Sequence, residues 1–166
     1  MPIPASKDEL TALFRALGAR EPEQWAASQV DEGIPQLLRF LFLKGAWENI
    51  PSEGDVAWIE REIESARKNP EQPYAGLGRA LEVCRGKGVP ASMLTEISRC
   101  LRAQMLFSVG YLIDGPGYSH TLEDLSWGLF QTDEDGKPFG QQVAGLHESV
   151  LEFDPTGREM RPRSDA

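Results

Sequence analysis

The sequence predicts a mainly α protein: a compact antiparallel multi-helix domain of about six helices with a small β-hairpin-like C-terminal segment. Three observations predict it. Apolar residues recur at helical spacing up to Asp114, punctuated by caps, prolines and glycines. The stretches between these segments are short, which favours antiparallel neighbours. After Gly117 the punctuation changes to short apolar runs broken by Asp-Gly and Asp-Pro turns. At 166 residues, 40% apolar and 26% charged, the chain is expected to bury about two-thirds of its unfolded surface. No Ser/Gly linker or long repeat divides it, so residues 1–166 read as one domain. Within it, residues 1–114 form the helical core, 115–160 the loop and short-strand segment, and 161–166 a fraying tail.

The first helix opens at Ser6 with Glu9 three residues on, a capping box, and carries Leu10, Leu13, Phe14 and Leu17 on one face before Gly18. Pro22 suits the first turn of a second helix running to Gly33. From Ile34 to about Asn49 apolar side chains occupy almost every side, the mark of a buried helix. Ser52 with Asp55 caps a fourth, whose stripe is Val56, Ile59, Ile63 and Ala66 and which stops at Asn69-Pro70. Tyr74, Leu77, Leu81 and Cys84 mark the inward side of a fifth, and Gly76 and Gly78 allow close helix packing. Pro90 opens the longest helix, with Leu94, Ile97, Leu101, Met105 and Leu112 expected inward, closing at Asp114-Gly115. Trp127 to Phe130 reads as a strand entering the Asp135-Gly136 turn, and Val150 to Phe153 as another strand before Asp154-Pro155. Leu122–Leu125 and Leu146–Ser149 are short helical pieces.

Charge narrows the partners. Lys and Arg total 17 against 26 Asp and Glu, a net charge of −9. An anionic surface repels phosphate backbones and acidic headgroups, so neither nucleic acid nor membrane is expected, while a basic protein is steered in. Nine of the carboxylates fall between Asp114 and Asp154, where Lys137 is the single cation. No apolar run approaches the roughly 20 residues of a membrane span, and the start of the chain lacks a charged-then-apolar pattern. A cytoplasmic home is expected, with Cys84 and Cys100 as reduced thiols.

No motif fixes a reaction, and no cofactor or metal is expected. Gln131 to Gly136 approximates the start of a calcium loop, but Gln142 stands where the bidentate carboxylate belongs. Cys84, Cys100, His120 and His147 lack the paired spacing of zinc ligands. The most reactive-looking stretch runs from Asp114 through Tyr118, Ser119 and His120, where Asp114 could orient the His120 ring and Tyr118, Ser119, Glu123 or Asp124 complete an acid–base set. His147 is a second candidate. For partner binding, Trp58 at the edge of its helical stripe beside Glu60, Glu62 and Glu64, and Trp127 with Asp133 and Asp135, supply aromatic anchors ringed by acid. The expected function is therefore a non-enzymatic, acidic protein-binding protein, of which an immunity- or antitoxin-type inhibitor of a basic partner is one concrete form. The alternative is a small-ligand binder or enzyme with a site around Asp114 to His120. A third reading is a homodimer formed through Trp58 or Trp127.

Overall fold

A computed structural model describes residues 3–115 and 127–162. Among them are seven α-helices, one two-stranded antiparallel sheet near the C-terminus and a short 3-10 turn, so the protein is mainly α with a C-terminal hairpin. No described helix is long and apolar enough to cross a membrane. The backbone divides into two compact units, each built from two separate stretches of chain. One comprises Met1–Gly45 with Phe107–Val150, the other Ala46–Leu106 with Leu151–Ala166.

In the first unit, α1 (Lys7–Ala16) begins at the capping box: the Glu9 amide donates to the Ser6 hydroxyl, which itself donates to the Glu9 carboxylate. α2 (Pro22–Asp31) starts with its proline in the first turn. α3 (Gln36–Trp47) is buried on most sides, as its apolar circumference predicts. Phe14, Trp25 and Phe40, one from each helix, form a ring cluster with centroids 5.3–5.9 Å apart. The strands β1 (Leu129–Thr132) and β2 (Pro138–Val143) pair with a bulge at Phe130/Gln131. Val143 and Leu146, the first residue of α7 (Leu146–Ser149), are buried beyond them. Arg39 of α3 is buried and donates to the Ser149 hydroxyl at 2.7 Å. Gly145 enters α7 at φ +71°, and a Cβ there would lie 2.8 Å from the same guanidinium.

The second unit holds α4 (Ala57–Lys68), α5 (Ala75–Gly86) and the greater part of α6 (Ala91–Asp114). Its core joins Trp58, Ile59, Ile63, Leu81 and Leu94. Gly78 is the point of closest approach: a Cβ would stand 2.3 Å from the Glu62 carbonyl oxygen and 2.5 Å from the Ala66 Cβ. Only hydrogen fits there, whereas a Cβ at Gly76 would meet nothing within 4 Å, so one glycine of the pair makes the close contact and the other does not. The C-terminal stretch is tied in by Arg99 of α6, whose side chain is 2% exposed. It donates to the Pro51 carbonyl at 2.7 Å and pairs with the buried Asp154 carboxylate at 3.2 Å. Asp154 also accepts from the Thr156 amide and hydroxyl and the Met160 amide. Burial alone would raise its pKa. The bonds from Met160 and Thr156, with the Arg99 charge, outweigh burial and hold it below the ordinary carboxylate range.

Four local expectations are corrected. Residues 150–153 form a 3-10 turn, not a strand, because Val150 is drawn into the core directly after α7. Ser52 does not cap α4; the Asp55 carboxylate accepts from the Ala57 amide instead. Tyr74 and Leu77 are exposed, Tyr74 at φ +69° ahead of α5, because Ala75, Gly78 and Leu81 form the buried side. Ile97, Leu101, Met105 and Leu112 of α6 also face solvent. The buried side of that helix is taken by Thr95, Arg99 and Ala103.

Gly78→Ala should destabilise the protein by about 1–3 kcal/mol, since backbone must part to admit the methyl group; urea unfolding reads this directly. Asp154→Ala should cost about 3–5 kcal/mol by leaving Arg99 buried without its partner. Because Asp154 titrates lower folded than unfolded, its contribution is complete above about pH 4 and is lost as acid carries the pH down toward the folded pKa. Stability measured from pH 7 to pH 2 should fall less on the acid side in that variant.

Candidate functional site

The strongest cluster of polar chemistry forms where α6 ends. Asp114, its last residue, has a side chain only 8% exposed. Its Oδ2 accepts from the His147 amide at 3.0 Å and meets the His147 ring Nδ1 at 2.6 Å. Its Oδ1 is buried without a hydrogen-bond partner among the described residues. Backbone makes this approach possible at Gly110, where a Cβ would lie 3.1 Å from the His147 nitrogen. Phe107 and Tyr111, each within one turn of Gly110, set ring edges against the imidazole at 5.8 and 5.1 Å. Burial pushes the Asp114 carboxyl up, but the bonds from the His147 amide and ring and the Leu146 amide bring it below the usual range. A carboxylate on Nδ1 fixes the imidazole orientation and leaves Nε2 for a proton acceptor or donor, the arrangement general acid–base chemistry uses.

The histidine on Asp114 is His147, not the His120 that the sequence places beside it. Tyr118, Ser119, His120, Glu123 and Asp124, with the helical piece at Leu122–Leu125, lie outside the described residues. No local spacing could have joined Asp114 to a partner 33 positions away.

The partner-binding candidates divide. Trp58 is buried, donates from its indole nitrogen to the Thr95 hydroxyl at 2.9 Å and lies beneath the Arg102 guanidinium. Its ring is therefore part of the core wall and is not presented as an anchor. Glu60 is exposed, Glu62 half-buried, and Glu64 exposed but paired with Lys68 at 2.9 Å, which lowers its pKa. Trp127 is half-exposed and donates to the Leu112 carbonyl at 2.7 Å, closing the α6 terminus. Asp133 builds the hairpin turn, accepting from the Asp135 and Lys137 amides, while Asp135 stands in solvent.

Cys84 and Cys100 are free thiols, and burial, with Glu96 beside it, pushes the Cys100 thiol up. Among the described residues no three His, Cys, Asp or Glu side chains converge as metal ligands. No family model, curated protein or solved structure matches the chain.

Asp114→Asn should destabilise the protein by about 1–3 kcal/mol at pH 7, the worth of hydrogen bonds to a charged acceptor. Thermal unfolding at pH 7 and pH 3 tests it, the difference from the unsubstituted protein narrowing in acid as Asp114 itself becomes protonated.

Proposed function

We propose that this is an acidic, non-enzymatic protein-binding protein whose partner is basic. The observation that carries this reading is a set of carboxylates outside any ion pair, Glu60 feeling Arg67 only at longer range. Glu60, Glu62, Glu134 and Asp135 enter no ion pair among the described residues. Glu60, Glu134 and Asp135 are exposed and Glu62 half-buried, in a chain of net charge −9. On either unit, acid so placed accelerates encounter with a cationic protein and suppresses wrong, acidic ones. An immunity- or antitoxin-type inhibitor, with its acid set against the basic substrate cleft of its target, is the concrete form, working in the cytoplasm.

The test is capture with the tagged protein from host lysate at low and high salt, followed by association kinetics with the protein retained. A stoichiometric basic protein that salt removes supports the reading; none at either salt overturns it. Glu60→Gln with Glu62→Gln, and separately Glu134→Gln with Asp135→Asn, should each slow association several-fold and flatten its salt dependence. Glu64→Gln should do less, since Lys68 already offsets that charge.

A second reading is favoured by the Asp114–His147 pair, whose orphaned Oδ1 lies beside an oriented imidazole. It makes the end of α6 an acid–base site for a small ligand. If that reading holds, His147→Ala abolishes turnover or ligand binding while leaving capture of a basic protein intact.

A further inference from the structure

The face of α6 that points away from its own core is apolar where a helix surface is ordinarily charged. Ile97, Leu101 and Met105, spaced i, i+4, i+8, are 52%, 61% and 64% exposed, and Leu112 continues the line at 44%. Residues 103–113 contain no Asp, Glu, Lys or Arg. The nearest charges are turned aside. Arg102 donates to the Asn49 carbonyl and covers Trp58, and Glu96 lies 3.9 Å from Arg99. The core side of the same helix carries Thr95, Arg99 and Ala103, all buried. The apolar stripe is therefore outward by construction, since reversing the helix would put Arg99 in solvent and break its bonds to Pro51 and Asp154.

We propose that this face of α6 is where a second copy of the chain docks, the two helices pairing antiparallel about a two-fold axis near Leu101 and Met105. Charge selects the occupant. Two chains of net charge −9 repel one another over most of their surface. The uncharged stretch of α6 lets them approach without opposing carboxylates, whereas a basic partner finds no counter-charge there. Area agrees. Six half-exposed side chains (Met93 and Val109 with the four above) at on the order of 200 Å² each leave about 600 Å² per copy, so about 1,200 Å² per pair, the lower bound for a specific interface. Side chains four apart form the ridge that packs into the matching groove of an identical helix, and a two-fold contact needs only one self-complementary patch. The proposal stands apart from the basic-partner reading, which uses other residues.

Sedimentation equilibrium of the full chain from about 1 to 200 µM, at low and high salt, decides it; this range covers the micromolar affinity expected of a minimal interface. The expected result is a species of twice 18.4 kDa whose population rises with salt, as screening relieves the acidic repulsion. This is the opposite salt response to capture of a basic protein. Leu101→Glu and Leu101→Lys should each sediment as monomers with unchanged helical circular dichroism, and their equimolar mixture should restore the dimer. Should either variant lose helicity, the same pair of substitutions at Met105 takes its place. A wild-type monomer at every concentration and salt overturns the proposal, as does a dimer that survives the glutamate.

Discussion

A guanidinium has five donors and no means of shedding its charge, so a buried arginine dictates what surrounds it. Arg99 imposes that demand on the second unit. It takes the Pro51 carbonyl from one stretch of chain and the Asp154 carboxylate from another, and Asp154 in turn organises Thr156 and Met160. Glu159 and Met160 accept positive φ within this turn, a cost set against the bonds that close it. Arg39 does the corresponding work in the first unit, where it holds the start of the C-terminal stretch through Ser149. Two arginines thus anchor residues that contain little regular structure of their own.

The same demand explains why α6, beyond the buried Leu94, turns its hydrophobic stripe outward. Once Arg99 and Thr95 are committed to internal acceptors, the helix cannot rotate to bury Ile97, Leu101 and Met105. Polar satisfaction decides the orientation because an unpaired buried charge costs more than leaving a few apolar side chains in water. Arg99 and Arg102 sit three apart, a spacing that looks like a solvated face. Yet they reach inward to Pro51 and across to Asn49.

Local rules carried through where local physics governs. The Ser6 capping box, Pro22, the buried α3 and the turn built on Asp133 all follow from residues near one another in sequence. They fail where a distant partner decides. Trp58 reads as the edge of its stripe because Val56, Ile59 and Ile63 complete one; Thr95, 37 positions away, draws the indole inward while Val56 is left exposed. Of the site at the end of α6, sequence proximity pairs Asp114 with His120, which lies outside the described residues. His147 as its partner is not legible, since nothing in the spacing reports that α7 returns to Gly110.

Each unit is assembled from two pieces of chain with the other unit's sequence between them. During synthesis, α1, α2 and most of α3 emerge long before the hairpin and α7 that share their unit, and α4 and α5 precede the Asp154 turn by some 70 residues or more. The core of Trp58, Ile59, Ile63, Leu81 and Leu94 can close once α6 has begun to emerge, whereas the first unit waits for the hairpin and α7, its α3 face uncovered in the nascent protein until then. A stop codon between α6 and Val150 would leave both units incomplete together, whereas one after Val150 would spare the first and truncate the second.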